Sequence, residues 1–397
     1  MDLFYTKSFL QSHREFVDNL ATKQVFNFEV SMHKNKGPVY YGDYLQLSKL
    51  LDTQLPLSRK FATKEDGECH DEMLFIIVHQ AYELWFKQII HELNLVIKIF
   101  GQDYIPENQL SNVFQKLNRV KKIQSILIDQ LDIIETMTPM DFLEFRDLLI
   151  PASGFQSVQF REVEIKMGLT TDSRIDVDRE FFMGRLSEDD KKRLIEVEKS
   201  PSILKLMEKW LERLPFTNMG EFNFWDEFKK SIDTISKEDE EIILKNSASL
   251  NELQKNIQLE NLRLTRENFQ SLFDSKKHQT LVENRQRTLS QKAILNALFI
   301  LLYRDEPMLA MPFNILTSMM DIDENFTSWR YRHALMAQRM LGTKIGTGGS
   351  SGHVYLKRAA DNNRVFLDLF NLSTYIIPRS RLPIIPEGIK KQLSFYV

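Results

Sequence analysis

The chain has 397 residues, 43% of them hydrophobic, and its 52 basic and 55 acidic residues leave a formal net charge of −3. We expect a soluble globular protein with a large core, and we exclude nucleic acid as a partner because no lysine or arginine cluster could follow a phosphate backbone. The longest apolar run, residues 293–303, is shorter than the roughly 20 residues of a membrane-spanning helix, so no membrane anchor is expected. The single cysteine, Cys69, excludes an internal disulfide and a multi-cysteine zinc site and favours a cytoplasmic location.

The chain is predicted to be nearly all-α, because 14 glycines and 12 prolines are few for its length and long stretches contain neither. Residues 71–100 have no glycine or proline, and apolar residues recur at helical spacing through residues 109–134, so both segments are predicted helices. A short helix follows, with Thr138 as its N-cap and Pro151 as its stop, and residues 154–168 form the next one.

Composition divides the chain into four predicted segments. Residues 1–37 form a polar N-terminal arm, and residues 38–183 form the first part of a multi-helix core. Residues 184–285 form an inserted helical module, because charge rises there while heptad-like apolar spacing persists. Residues 286–397 complete the core.

His79 lies within an aromatic stripe of the first long helix. At about 100° per residue, His79 shares a sector of about 60° with Phe75, Tyr82 and Phe86. A single histidine on an apolar face is commonly a core residue that is hydrogen-bonded to a backbone carbonyl. That alternative stays open on spacing alone.

His333 repeats this pattern on a second helix. Trp329, Met336 and Met340 share its face, and the small Ala337 leaves a gap one turn after it. No His-x-x-Glu-His motif and no carboxylate one turn from His333 is present, which argues against a zinc or di-iron site on one helix. Haem is the large apolar cofactor that one histidine can hold. Spacing alone leaves a haem ligand and a core histidine both open.

Five of the 14 glycines fall within residues 342–352. Glycine permits positive φ and close approach of the backbone to a ligand, so this segment is predicted to end a helix and form a mobile loop. A phosphate-binding loop does not fit, because Ser351 stands where a G-x-G-x-x-G motif needs its third glycine and no strand precedes it. A substrate lid with hydrogen bonds from Thr347 and its neighbouring serines fits better, and an ordinary flexible loop is the alternative.

Long segments of the chain, in order, resemble the tryptophan 2,3-dioxygenase family. They are HDEMLFIIVHQAYELWFKQIIHEL from His70, ETMTPMDFLEFRDLLIPASGFQSVQFREVE from Glu135, MDIDENFTSWRYRHALMAQRMLGTKIGTGGSSGHVYL from Met320 and VFLDLFNLSTYIIPR from Val365. With YYGDYLQLSKLL and RDEP, the similarity extends over most of residues 40–379 and weakens before residue 37, around residues 231–269 and after the glycine loop.

The resemblance implies an all-helical enzyme that holds one haem b per subunit. Such an enzyme inserts O2 into the indole C2–C3 bond of L-tryptophan to give N-formyl-L-kynurenine, the first step of tryptophan catabolism by the kynurenine pathway. It also implies a cytoplasmic homotetramer, a dimer of dimers. The two open alternatives within this class are a dioxygenase for another indoleamine and a non-catalytic haem sensor, and a helical interaction scaffold without haem is a third.

The resemblance implies that His333 is the proximal haem ligand, which binds the metal. It also implies that residues 286–397 contain the proximal haem helix and the glycine loop. Arg161 corresponds to a position that pairs with a haem propionate. The other positions beside the haem are Trp329, Met336, Ser153 and Gly154.

His79 corresponds to the distal histidine, which we predict to be catalytic through orientation, by accepting the indole N–H, rather than as an obligatory base. Phe75, Tyr82 and Phe86 are the predicted aromatic walls for the indole. All four lie in residues 38–183, the predicted distal and substrate side.

The resemblance also assigns the amino-acid end of the substrate. Phe142 and Arg146 correspond to the helix that binds the indole body and the carboxylate, and Thr347 to a loop that closes over the ammonium and carboxylate. Tyr41 and Tyr44 correspond to tyrosines that the N-terminal region of one subunit contributes to its neighbour's site. Arg146 and Thr347 favour a zwitterionic amino acid over other indoleamines.

Overall fold

The computed structural model describes residues 37–61, 67–169, 182–217, 222–245, 251–344 and 352–394. Within these ranges every regular element is a helix, so the predicted all-α class is confirmed. The α-helices are α1 (Tyr41–Leu45), α2 (Leu47–Leu50), α3 (Ser58–Phe61), α4 (His70–Phe100), α5 (Glu107–Ile134), α6 (Pro139–Arg146), α7 (Val158–Met167), α8 (Glu188–Lys199), α9 (Ile203–Arg213), α10 (Phe224–Lys245), α11 (Glu252–Phe273), α12 (Ser275–Glu283), α13 (Gln291–Leu302), α14 (Pro307–Leu341), α15 (Gly352–Asn362), α16 (Leu367–Asn371) and α17 (Glu387–Gln392). Short 3-10 helices lie at Asp147–Leu149, Gly154–Gln156, Pro215–Thr217, Leu372–Tyr375 and Arg379–Arg381.

The chain divides into two compact units, Met1–Thr53 and Gln54–Val397. In the first, the described residues form α1 and α2, two short helices without a buried side chain. The second contains α3 to α17 and the hydrophobic core. The four segments that composition suggested stay predictions.

Two long helices, α4 and α14, carry the histidine stripes. α4 begins after Cys69 and ends at Gly101. α14 begins with Pro307, whose missing N–H costs nothing in the first turn, and ends where Gly342 adopts a φ of +60°. Both predicted histidine-bearing helices are therefore confirmed.

The helices between these two also follow the predicted pattern. α5 covers the predicted helix of residues 109–134. α6 begins with a capping box, in which the hydroxyl of Thr138 accepts from the N–H of Asp141 and the Asp141 carboxylate accepts from the N–H of Thr138. A 3-10 turn then leads the chain to Pro151.

The helix predicted over residues 154–168 is shorter than expected. A 3-10 turn comes first, and α7 begins only after Ser157, whose hydroxyl accepts from the N–H of Phe160. A serine in this position satisfies a free N–H of the first turn and so defines a new start. α7 ends at Gly168, where φ is +132° and an added Cβ would lie 2.6 Å from the Cβ of Leu204, so only glycine fits.

Helix packing brings the two histidine-bearing helices to one region. α14 packs along α5 and α15, and α4 packs along α5 and α7. The short α6 packs against both α4 and α14. These six helices thus enclose a space beside the N-terminal half of α4 and the C-terminal part of α14.

Candidate active site

A cavity of about 270 Å³ lies among α4, α5, α6, α7, α14 and α15. Its walls are mostly aromatic and aliphatic, with a few polar groups that converge on it, which is typical of a small-molecule site. Most of the predicted site residues line it. These are His79, Tyr82, Phe86, Phe142, Arg146, Ser153, Gly154, Arg161, Trp329, His333 and Met336.

His333 lines one wall of this cavity from α14. Its Nδ1 atom is buried and has no hydrogen-bond partner within the described ranges, unlike a core histidine that is bonded to a carbonyl. Burial, and secondarily the charge of His79, lowers the pKa of His333 to about 4. The imidazole is therefore neutral at physiological pH and keeps a nitrogen lone pair for a metal ion. The small Ala337 lines the cavity beside it.

His79 lines the cavity from α4. Its Nδ1 atom lies 2.7 Å from the carbonyl oxygen of Phe75, and because a carbonyl only accepts, Nδ1 carries the proton and Nε2 is an acceptor. The side chain of His79 keeps access to solvent, yet the protein atoms around it reduce its solvation and lower its pKa, while the Phe75 hydrogen bond and the charge of Glu83 act in the opposite direction. His79 is thus a neutral imidazole with one acceptor nitrogen.

An aromatic cluster supports the distal side of the cavity. The ring of Phe75 stacks on Phe142 at 5.8 Å and meets Phe145 edge-on at 5.6 Å. Phe75 does not line the cavity itself, and its contact with His79, at 4.0 Å between ring centroids, makes it a support for that side chain. Deeper in the cavity, the buried Phe86 packs on Phe160 at 5.3 Å.

Arg146 reaches the cavity from the C-terminal end of α6, and its side chain is only 13% exposed. Its Nη1 atom is 3.6 Å from the carboxylate of Asp147, which is solvent-exposed, so this pair contributes little binding energy. The guanidinium lies at the cavity wall, where its planar set of N–H donors suits a carboxylate.

A buried charged cluster forms another part of the wall. Glu164 accepts from Arg161 and from Arg330, each at 2.8 Å, and Arg330 also donates to the carbonyl oxygen of Asn363 at 2.9 Å. Arg161 stacks over the ring of Phe182 at 4.7 Å, and its Nε atom is buried without a partner in the described part of the chain. Arg161 and Arg330 each carry one positive charge and Glu164 carries one negative charge, so these three side chains together are positive. This charge favours an anionic ligand.

Sequence reasoning missed several residues that line this cavity. Arg330 and Glu164 each lie among other charged residues of their helices, Arg332 near Arg330 and Glu162 and Lys166 near Glu164, so no contrast in the sequence singled them out. Glu83 lies one turn after His79 and accepts from the side chain of Gln159 at 2.8 Å. Asn363 follows α15, and no pattern in the sequence marks it.

Besides Phe75, three predicted site residues are not among those that line this cavity. Thr347 lies outside the described residues. Tyr41 and Tyr44 belong to α1, in the unit Met1–Thr53, and are 75% and 73% exposed. Their contribution to a neighbouring subunit stays a prediction.

No group of three or more histidine, cysteine, aspartate or glutamate side chains that could hold a metal ion occurs among the described residues. Within the same ranges, no helix has the length and apolar character that crossing a membrane requires.

Fold and site define a class, an all-α protein with an apolar cavity between two helix-borne, neutral histidines. A family model described as tryptophan 2,3-dioxygenase matches residues 28–376. The chain therefore belongs to the tryptophan 2,3-dioxygenase family, which confirms the predicted resemblance.

Three curated relatives carry the name tryptophan 2,3-dioxygenase. The one from Alteromonas mediterranea is 48% identical over 366 residues, which cover 92% of this chain and 100% of the relative. The one from Bdellovibrio bacteriovorus is 45% identical over 359 residues, or 90% of this chain and 99% of the relative. The one from Dictyostelium discoideum is 43% identical over 358 residues, or 90% of this chain and 88% of the relative.

Proposed function

We propose that the chain is a haem-dependent dioxygenase that inserts O2 into the indole C2–C3 bond of L-tryptophan and forms N-formyl-L-kynurenine. The observation that carries the proposal is the pair of neutral histidines, His79 and His333, on one apolar cavity in a member of this family. The names of the relatives favour L-tryptophan over another indoleamine and favour an enzyme over a haem sensor.

The residues that line the cavity fit haem b, one per subunit. His333 would be its metal ligand, because a neutral imidazole with an unprotonated nitrogen suits iron. Ala337 and Gly154 keep the wall free of bulk, and Trp329 and Met336 supply apolar contact. When bound, haem supplies the binding and activation of dioxygen.

The charged cluster would hold the carboxylates of the cofactor. Arg161 is the predicted partner of a propionate, and its unpartnered Nε atom supports that role. Arg330 adds a second positive charge, while Glu164 holds both guanidinium groups in place through its 2.8 Å contacts.

His79 would orient the indole ring. Since its Nδ1 proton is committed to the carbonyl of Phe75, Nε2 is the atom that accepts the indole N–H. The apolar walls from Phe86 and Phe142 would enclose the ring and exclude water. The C2–C3 bond of indole is itself nucleophilic, so His79 needs only to position the substrate and need not remove a proton.

The amino-acid end of the substrate would be held by Arg146, which binds the carboxylate. Thr347 would contact the ammonium or carboxylate when the glycine loop closes. Tyr41 and Tyr44 would come from a neighbouring subunit of a homotetramer, and their exposure in α1 supports that contribution.

Product analysis tests the proposed reaction. The haem-loaded protein, reduced without oxygen and then given L-tryptophan and ¹⁸O2, is expected to yield N-formylkynurenine whose mass includes both labelled oxygen atoms. A parallel reaction with tryptamine is expected to be much slower, because tryptamine has no carboxylate for Arg146 to bind. Incorporation of one labelled atom, or preference for tryptamine, would contradict the proposal.

Replacement of His79 by alanine should weaken tryptophan binding and slow turnover without abolishing it. The loss of one hydrogen bond costs roughly 1 to 2 kcal/mol of transition-state stabilisation, so kcat/KM should fall about 5- to 30-fold. Because the pKa of His79 is lowered, protonation of Nε2 and loss of the acceptor are expected only below the ordinary histidine pKa of about 6.5. In the wild type, kcat/KM should therefore fall on the acid side of that value.

A matched control for this variant is His91→Ala. His91 is an exposed histidine on α4, the helix that also carries His79. Its replacement should leave both kcat/KM and the pH profile of kcat/KM unchanged. If the acid fall in kcat/KM persists unchanged in His79→Ala, the acceptor role of His79 is wrong.

A further inference from the structure

Among the described residues, no hydrogen bond accounts for the orientation of the His333 ring. A histidine that binds a metal usually donates its second ring N–H to a carboxylate, a carbonyl or a water molecule, and that bond fixes the ring. The Nδ1 atom of His333 is buried and lacks such a protein partner within the described ranges. What the structure does show against the ring is aromatic packing.

Trp329 provides the packing surface. It precedes His333 by one turn of α14, and the two rings stack with centroids 5.1 Å apart and planes inclined by 20°. The indole also packs on Phe160, with ring centroids 5.2 Å apart. Rotation of the His333 ring would therefore have to displace a large aromatic side chain that has packing contacts of its own.

Tyr82 in turn fixes Trp329. The indole N–H of Trp329 donates to the Tyr82 hydroxyl oxygen at 3.5 Å, a long hydrogen bond, and the rings meet edge-on at 6.1 Å. The hydroxyl uses its own proton to donate to the carbonyl oxygen of Leu127 at 2.6 Å. Burial raises the pKa of Tyr82 to about 12, so the hydroxyl keeps that proton.

We propose that Tyr82 and Trp329 are positioning residues that set the ring plane of His333 and thereby the geometry of its bond to iron. We call the chain from the Leu127 carbonyl through Tyr82 and Trp329 to the His333 ring the aromatic brace. It links α5, α4 and α14, so the position of the proximal ring depends on the distal helix. This inference rests on the proposed function, because it concerns a haem held by His333.

The aromatic brace has a chemical consequence. A carboxylate partner on Nδ1 would make the imidazole a stronger electron donor to iron. A stacked indole would orient the ring without accepting its N–H proton, so Trp329 would not strengthen His333 as an electron donor. In this proposal the hydroxyl of Tyr82 holds Trp329 in place, while the ring of Tyr82 forms part of the aromatic wall.

The test is Tyr82→Phe, which removes the hydroxyl and keeps the ring. We expect the iron–histidine stretching band of the ferrous, haem-loaded protein to shift or broaden, because the His333 ring then samples more orientations. Haem loss to an excess of a scavenging apoprotein should become about fivefold faster, the effect of one net hydrogen bond. A band and a loss rate identical to those of the wild type would overturn the proposal.

The matched control is Tyr303→Phe. The Tyr303 hydroxyl also donates to a backbone carbonyl at 2.6 Å, that of Pro383, but Tyr303 does not line the cavity. Its loss should leave the iron–histidine band unchanged. An equal change in both variants would mean that the band reports general destabilisation, and the aromatic brace would be rejected.

A double variant tests the link between the two residues. Trp329→Phe keeps an aromatic ring against His333 but removes the indole N–H, so adding Tyr82→Phe to it should change the band little further. Fully additive effects would show that the two residues act separately and would overturn the proposal. A wild-type protein with no iron–histidine band at all would refute the proposed haem ligation instead, which distinguishes the two failures.

Discussion

Replacement of His333 by alanine is expected to weaken haem binding by at least about 100-fold, because losing even an outer hydrogen-bond partner of a metal ligand costs 10- to 100-fold. The apolar walls would remain, but the only bond from the protein to iron would be lost. The measurements are the haem content after gel filtration and tryptophan turnover, both of which should fall to background. Added imidazole, which fits the space vacated by the side chain, should restore part of the haem absorbance.

His278 provides the matched control for His333. It is a buried histidine of the ordinary core type, with its Nε2 atom 2.9 Å from the carbonyl oxygen of Leu289, and it does not line the cavity. His278→Ala should lower the free energy of unfolding yet retain haem. Full haem content and activity in His333→Ala would overturn the assignment of the ligand.

Replacement of Arg146 by alanine is expected to raise the KM for L-tryptophan about 30- to 1000-fold, through loss of a charge-assisted, bidentate contact. This corresponds to roughly 2 to 4 kcal/mol of binding free energy. The haem spectrum should not change, because Arg146 belongs to α6 and not to the proximal helix. Steady-state kinetics with tryptophan and with tryptamine measure the effect. The penalty should be confined to tryptophan, since tryptamine has no carboxylate to lose.

Two further variants sharpen this experiment. Arg146→Lys keeps the charge but loses the planar fork, so its KM should lie between those of the wild type and the alanine variant. Arg381→Ala removes a guanidinium that pairs with Glu238 outside the cavity and should leave KM unchanged. An unchanged KM in Arg146→Ala would refute the carboxylate role.

Much of the fold was predictable, because its determinants are local. The helix that carries the stripe around His79 and the N-cap at Thr138 depend on residues within one or two turns, and both occur as expected. The start of α7 was misplaced by a few residues because a 3-10 turn and the cap at Ser157 compete with simple helical periodicity.

Interactions between distant segments could not be predicted in the same way. The contact between Arg330 and Glu164 joins residues 166 positions apart, and that between Tyr82 and the Leu127 carbonyl joins two helices through a backbone atom. Periodicity shows which face of a helix is buried, but it does not show which neighbour covers it. Family resemblance supplied His333, Arg146 and Arg161, whereas the partners of Arg161 in the charged cluster, Glu164 and Arg330, required three-dimensional packing.

The acceptor that fixes His79 is a carbonyl of its own helix, one turn earlier at Phe75. The tautomer of this imidazole consequently needs no dedicated side chain elsewhere in the protein. A designer could transplant the arrangement onto another long helix and present an uncharged nitrogen acceptor to a new substrate. Substitutions in the surrounding sequence would keep Nε2 of His79 as an acceptor, provided that the helix still forms and keeps the Phe75 carbonyl in place.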